Sequence, residues 1–122
     1  MAKAIASVNG RLVLEREAVV SVLDRGFTLS DGLFETMVGK NRKVLHLDRH
    51  LNRLENGSSI LGLELPSRSS LTSLLEEVLD KNGFSMSNIR LTVSRGYDYE
   101  RGLQVHKDLS PTIVVRVSEQ KA

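Results

Sequence analysis

The sequence contains no cysteine and no tryptophan, and it has only three phenylalanines and two tyrosines. Without cysteine, neither a disulfide framework nor a cysteine-ligated metal site can form. The scarcity of aromatic rings argues against a platform on which nucleic-acid bases stack. No segment approaches the roughly 20 consecutive apolar residues of a membrane span, and the apolar run at the N-terminus is too short for a signal peptide. We therefore expect a cytoplasmic protein with no membrane partner.

The length of 122 residues fits one domain spanning residues 1–122. The formal net charge is +2 and the pI is about 9.2, which raises the question of nucleic-acid binding. The tightest basic cluster, "GKNRK" at residues 39–43, is typical of a solvated turn between strands. Because no basic stripe accompanies the high pI, we expect no nucleic-acid partner.

Two hairpins and two later strands are predicted from the local patterns. Asn9-Gly10 separates two β-prone runs, which predicts strands at residues 4–8 and 11–14. "GLFETMVG", the turn "GKNRK" and "VLHL" predict a second hairpin. "NIRLTVSRG" is a strand by alternation and β-branching, and "PTIVVRVSE" is a final strand that begins with proline, a permitted position.

Two helices lie between these strand groups. The first is predicted to begin with Asp48 as its N-cap and to end by Gly62, because leucines recur at helical spacing between them. The second follows Pro66, is capped by a serine at 67–70, and stops at Asn82-Gly83. The order of strands, helices and strands predicts an α+β fold: a mostly antiparallel sheet with two helices packed on one side.

The common signatures of metal and nucleophile chemistry are absent from the sequence. His46 and His50 are four residues apart, but no third ligand accompanies them, and zinc needs three or four. His106 falls in a polar loop without an evident partner. Glu76-Glu77 is expected on the solvated edge of the second helix, and the chain has neither a Gly-x-Ser-x-Gly turn nor a glycine-rich phosphate loop.

Arginines are the remaining candidates for chemistry. Arg53 lies between the apolar stripe and the polar face of the first helix, where it can contact a bound anion or pair with Asp48 or Glu55. Arg90 lies inside an apolar strand whose alternating neighbours are polar, so its face is either solvated or a pocket. Arg95 is expected to close the end of that strand against Asp98.

In chain order, "VNGRLV", "SVLDRGFTLSDGLFETM", "LHLDRHLNRLENGSSILGLELP" and "IRLTVSRG…RG" resemble the N-terminal half of the class IV aminotransferases. These are the fold-type IV pyridoxal-phosphate enzymes, which include branched-chain and D-amino-acid aminotransferases and aminodeoxychorismate lyase. The resemblance covers nearly the whole chain. The combination of "DRGF…DG.FET" with "H..RL" downstream is its most specific part.

The resemblance implies roles for five residues. Arg53, the arginine of "HLNRL", matches the residue that contacts the cofactor phosphate. Phe34 and Glu35 match a strand that lines the substrate pocket, and Arg90 matches an arginine near the substrate carboxylate. Arg101 resembles a second substrate-binding arginine in the lyase and D-amino-acid branches. A bidentate arginine fork suits a carboxylate, since it fixes orientation as well as position.

Two departures from the family pattern leave the substrate class open. Leu29-Ser30 stands where the family usually has Tyr-Gly, so a phenol in the pocket would be missing. "FET" differs from the "FEG" of the branched-chain enzymes, whereas Arg90 points toward that branch.

The resemblance implies pyridoxal 5'-phosphate as the cofactor of the complete enzyme. In this family the Schiff-base lysine lies in the C-terminal domain, and the lysines of this chain fall in turns, helix ends or termini. We therefore predict that the chain alone binds no cofactor and cannot transaminate. It is expected to act on an amino acid and a 2-oxo acid together with the missing C-terminal domain, and to form a homo-oligomer such as a homodimer. The alternatives are a parent enzyme of the aminodeoxychorismate lyase type and a stand-alone, self-associating binding module.

Overall fold

The computed structural model describes residues 4–97 and 109–121. Within them a single sheet carries six strands in the order β2-β1-β6-β5-β3-β4, and every neighbouring pair is antiparallel. The strands are β1 (Ile5–Val8), β2 (Arg11–Leu14), β3 (Gly32–Lys40), β4 (Lys43–Val44), β5 (Met86–Ser94) and β6 (Thr112–Glu119). The helices are α1 (Arg25–Leu29), α2 (Leu47–Leu61) and α3 (Arg68–Asn82).

Both predicted hairpins are confirmed, and their turns explain why. Asn9 (φ 54°) and Gly10 (φ 83°) both adopt the left-handed conformation that a two-residue turn between twisted strands requires. The second hairpin makes the same kind of turn with Asn41 and Arg42. Its return strand, β4, is only two residues long, so most of the predicted "VLHL" strand is not strand.

The long helices α2 and α3 pack on one face of the sheet, as the α+β prediction requires. Their buried leucines meet the alternate strand residues that point toward them, and these form the core: Met37, Leu51, Leu54, Leu71, Leu75, Val78, Leu79, Ile89, Leu91, Val93, Val115 and Val117. The opposite face of the sheet has no helix of this kind packed on it among the described residues. We call that surface the open face.

The ends of the long helices agree with the sequence except at one point. Ser67 caps α3 through its hydroxyl, and Gly62 and Gly83 end α2 and α3 in the left-handed conformation, as predicted. The predicted N-cap of α2 is wrong, since His46 occupies that position without a side-chain cap and Asp48 lies inside the first turn. Asp48 still carries its charge where the helix dipole favours an anion.

The short helix α1 was not anticipated by the sequence patterns. Asp24 is its N-cap, accepting a hydrogen bond from the Gly26 N–H at 2.8 Å. Ser30 ends it with φ 55°, a conformation unusual for a residue other than glycine. A five-residue helix is too short to show an apolar period, so the sequence patterns do not reveal it.

Candidate functional site

The two faces of β3 separate the predicted site residues. Side chains alternate along a strand, so Phe34 and Thr36 point to the open face while Leu33, Glu35 and Met37 point toward the helices. Phe34 is 56% exposed and Glu35 is 5% exposed. The two faces of β3 therefore present different side chains, an exposed Phe34 on the open face and a buried Glu35 on the helix face.

The open face contains a cavity of about 570 Å³ between α1 and the centre of the sheet. Phe34 and Arg90 both line it, and the Arg90 guanidinium carbon lies 3.7 Å from the centroid of the Phe34 ring. This is a cation–π contact, which holds the guanidinium over the ring without neutralising its charge. No carboxylate of the described residues pairs with Arg90, so the structure answers the question left by the sequence: its face is a pocket that presents a cation.

The other side of β3 carries a cluster of three charged or polar side chains, which we call the Glu35 cluster (Glu35, His50 and Arg53). Arg53 donates from Nε to Glu35 Oε2 at 2.9 Å and from Nη2 to Oε1 at 2.8 Å. His50 Nδ1 lies 2.7 Å from the same Oε1. α2 supplies His50 and Arg53 from adjacent turns of one helix face, which brings both onto one carboxylate.

Electrostatics fixes the charge state of Glu35 in this cluster. Burial by itself raises the pKa of Glu35, but the hydrogen bonds from Arg53 and then His50 outweigh it, so the pKa lies below its ordinary value. The hydrogen bond to Glu35 in turn raises the pKa of Arg53. Glu35 is therefore an ionised carboxylate that orients Arg53. The pairing of Arg53 with Asp48 or Glu55 considered above does not occur; Glu55 pairs with Arg68.

Arg53 remains open to a ligand despite this pairing. Its side chain is 70% exposed, and Nη1 has no hydrogen-bond partner among the described residues. Arg53 borders a second depression of about 410 Å³, beside the part of β3 that β4 does not pair with. The two depressions meet around Phe34, which lines both.

Phe34 and Glu35 were expected to line the substrate pocket together. They do share one depression, the one that contains Arg53, but only Phe34 also lines the cavity that contains Arg90. The period of two along a strand sends neighbouring residues to opposite faces. Glu35 borders only the depression that contains Arg53.

A second charged cluster, which the sequence did not reveal, lies just before the first residue of β3. We call it the Asp31 cluster (Arg25, Asp31 and Arg95). Asp31 Oδ2 accepts hydrogen bonds from Arg25 Nε and Arg95 Nε, both at 2.8 Å. Arg95 also donates to the carbonyl oxygens of Leu61 at 2.8 Å and Gly62 at 3.2 Å, at the end of α2. Burial alone raises the pKa of Asp31, but the hydrogen bonds from Arg95 and Arg25 lower it overall.

The Asp31 cluster changes the interpretation of two predictions. Arg95 does close the end of β5, but its carboxylate partner in the structure is Asp31, while Asp98 lies outside the described residues. Arg101 also lies outside them, as does His106. Of the Leu29-Ser30 pair, Ser30 lines the open-face cavity and Leu29 is not among its lining residues.

Other classes of site find no support in the described part of the chain. No group of three or more histidine, aspartate or glutamate side chains in residues 4–97 and 109–121 is arranged to hold a metal ion. Within the same ranges, no helix has both the length and the apolar character needed to cross a membrane.

Comparison with known proteins identifies the family. The amino-transferase class IV family model matches residues 32–122. The chain is 34% identical over 95 residues to a D-alanine aminotransferase from Listeria innocua, covering 77% of this chain and 33% of that protein. It is 34% identical over 107 residues to a putative branched-chain-amino-acid aminotransferase from Methanocaldococcus jannaschii, covering 87% of this chain and 37% of that protein.

The fold is shared with solved structures of the same family. The 4-amino-4-deoxychorismate lyase of Pseudomonas aeruginosa superposes with a TM-score of 0.81 at 31% identity, covering 95% of this chain and 40% of that one. The chain belongs to the class IV aminotransferases. It spans roughly a third to two fifths of the length of these relatives.

Proposed function

We propose that this chain is the N-terminal domain of a pyridoxal-phosphate enzyme that moves an amino group between an amino acid and a 2-oxo acid. In this proposal it provides phosphate and substrate contacts, while a further domain provides the lysine that binds the cofactor. The observation that supports it best is the placement of two cations around one strand: Arg53 at the edge of β3 and Arg90 on the open face.

The residues at the β3 edge fit a phosphate group. Arg53 is held at two nitrogens by an ionised, buried carboxylate, so its direction is set before any ligand arrives. Its unpartnered Nη1 can donate to a phosphate oxygen, and arginine suits phosphate because of its planar fork of donors. Glu35 has a positioning role here: it touches Arg53 and not the cavity that contains Arg90. When bound, pyridoxal phosphate supplies the electron sink for amino-group chemistry.

The open face fits the carboxylate of a substrate. Arg90 is the cation of that cavity, and Phe34 supports it from below at 3.7 Å. Because Phe34 lines both depressions, a substrate bound at Arg90 lies next to a cofactor bound at Arg53. We retain Arg101 as a second substrate contact on the strength of the family motif.

Apolar surface around the cavity supports docking of a further domain. Val19, Val22 and Phe27 are each more than 70% exposed, at 76%, 71% and 73%. Exposed apolar surface of this kind favours burial against a partner. We propose that the lysine-bearing domain covers it and that the complete enzyme is a cytoplasmic homodimer. A stand-alone module would instead use this surface to self-associate.

A lyase of the aminodeoxychorismate type is the second candidate for the parent reaction. The chain is 32% identical over 117 residues to the aminodeoxychorismate lyase of Bacillus subtilis, a longer match than those to the aminotransferases named above. Release of pyruvate from aminodeoxychorismate by the assembled enzyme, without any requirement for a 2-oxo acid, would favour this reaction over amino transfer.

The test of the proposed function combines this chain with a cognate lysine-bearing domain and measures binding of pyridoxal phosphate by its absorption band. Arg53→Gln should weaken the binding of pyridoxal phosphate but leave that of pyridoxal, which lacks the phosphate, unchanged. Arg68→Gln is the matched control, since Arg68 lies on α3 and pairs with Glu55 away from both depressions. If Arg53→Gln weakened the binding of pyridoxal phosphate and pyridoxal equally, or weakened neither, the proposed role of Arg53 would be contradicted.

A further inference from the structure

Asp24, one of the residues that line the open-face cavity, has a buried carboxylate oxygen with no hydrogen-bond partner among the described residues. Asp24 is 3% exposed, and its Oδ1 accepts the N–H of Gly26 at 2.8 Å. Its Oδ2 is unpartnered. Capping α1 therefore explains only one of its two oxygens. A buried oxygen of a charged group is costly without a partner, so the free atom requires an explanation.

Asp24 shares its cavity with a cation that also lacks an ionic partner. Arg90 lines the same space of about 570 Å³, and it makes no ion pair with the described residues. Much of the remaining wall is apolar, with Val20, Phe27 and Val114 among its residues. The volume lies within the usual range of roughly 300–1,000 Å³ for small-molecule sites. A carboxylate and a guanidinium that both lack ionic partners among the described residues, on the lining of one cavity, match a ligand that carries both charges.

We propose that this cavity binds a small ω-amino carboxylate, with the carboxylate at Arg90 and a protonated amine at Asp24 Oδ2. Oδ2 is enclosed by protein atoms, so the carboxylate must rotate to meet a donor that enters the cavity, and the terminal torsion of an aspartate is soft enough to allow this. The inference rests on the proposed function and narrows its substrate class. The amine at Asp24 is additional to the amino group that is transferred, so the substrate carries an amine on its side chain.

The experiment titrates the 122-residue chain with two ligands that differ only in the amine, 5-aminopentanoate and pentanoate. Binding is followed by amide chemical shifts, and the Gly26 amide is the reporter because it donates to Asp24. A charge-assisted hydrogen bond to Oδ2 should make 5-aminopentanoate bind about tenfold more tightly. Only 5-aminopentanoate should move the Gly26 signal. Equal affinities, or no binding of either ligand, would overturn the proposal and leave Oδ2 to an ordinary water molecule.

Two variants separate the ends of the ligand. Asp24→Asn keeps an oxygen for the Gly26 N–H but replaces the free oxygen with an amide donor. It should abolish the preference for 5-aminopentanoate and give a preference for glutarate, which has a second carboxylate. Arg90→Gln should lower the affinities for 5-aminopentanoate and pentanoate by the same factor, because both ligands carry the carboxylate. Asp80→Asn is the control, because Asp80 is exposed and pairs with Arg42 on the other side of the molecule from the cavity lining.

The outcomes keep this inference apart from the proposed function. A preference for 5-aminopentanoate that survives Asp24→Asn would overturn the inference. If Asp24→Asn fails to fold, the comparison of the two ligands on the unsubstituted chain still decides it. None of these titrations contains pyridoxal phosphate, so an absent amine preference with intact phosphate binding at Arg53 refutes only the inference. A clear preference for 5-aminopentanoate, combined with pyridoxal-phosphate binding that does not depend on Arg53, refutes only the proposed function.

Discussion

The Glu35 cluster gives a quantitative prediction for Glu35→Gln. The substitution keeps the size of the side chain but removes its charge, and it places an amide donor among the donors of Arg53 and His50. Three hydrogen bonds reach Glu35, at 2.9, 2.8 and 2.7 Å, and a neutral amide oxygen can keep at most part of this set. Arg53 is largely exposed, so water can replace its share. The net loss is that of about one hydrogen bond to a charged group, the one from His50, which is roughly 2 kcal/mol of unfolding free energy.

For a domain of this size, a loss of about 2 kcal/mol lowers the midpoint of thermal unfolding by roughly 6–10 °C. Thermal or urea unfolding followed by circular dichroism measures the change. Glu55→Gln is the matched control, since Glu55 lies on the same helix as Arg53 and is exposed in its pair with Arg68. It should change stability little, as surface pairs generally do.

The effect of Glu35→Gln should also depend on pH. The folded state lowers the pKa of Glu35, so the unfolded state takes up a proton at a higher pH than the folded state does. The stabilisation from Glu35 is therefore complete above its ordinary carboxyl pKa and decreases as the pH falls through the lower folded pKa. The difference between the unsubstituted chain and Glu35→Gln should shrink as the pH falls below about 4.5. A difference that stays constant with pH, or the absence of any at neutral pH, would refute this account of the cluster.

Three further predictions concern the framework around the site. Asp31→Asn should destabilise the chain by about 2 kcal/mol at neutral pH, because Arg25 and Arg95 lose the anion that they share. The loss should be smaller in acid, since the pKa of Asp31 is lowered in the folded state, and a loss in urea unfolding that does not change with pH would contradict this. Gly32→Ala should lower the free energy of unfolding by about 1–3 kcal/mol, because the added Cβ would lie 2.7 Å from the Val93 carbonyl oxygen. An unchanged unfolding midpoint would instead show that β3 and β5 can move apart at this point. Ser67→Ala should cost about 1 kcal/mol through loss of the α3 cap, and retention of full helix stability by circular dichroism would count against that cap.

Local sequence was enough for the elements whose ends are set by nearby residues. Asn9-Gly10 made the first hairpin because both residues tolerate positive φ, and Gly62 and Gly83 stopped the long helices for the same reason. A serine of the 67–70 stretch was predicted as a cap, and the structure shows that it is Ser67, which reaches a backbone N–H three residues away. The prediction of Asp48 as a cap was wrong because a cap also depends on the conformation of the preceding chain. His46 takes the N-cap position of α2, in the left-handed region.

The site was only partly predictable. Phe34, Arg53 and Arg90 were singled out in the sequence, and the structure places them around one strand. The sequence could not show that Glu35 is the partner of Arg53, since the two are 18 residues apart. Nor could it show Asp31 with Arg95, which are 64 residues apart. The nearest signal was the alternation along β3, which separates Glu35 from Phe34 once the strand is assigned.

The sequence by itself determined the family, the α+β order of elements and most of their boundaries, because these follow from short patterns of side-chain size, charge and backbone preference. The tertiary structure alone decided which charges meet. Glu35 is buried under α2 and fixes Arg53, while Asp31 joins α1, β5 and the end of α2. Among the described residues Asp24 and Arg90 have no ionic partner, although both line the same cavity. Such pairings depend on distance in space and on exclusion of water, and neither can be read from separation along the chain.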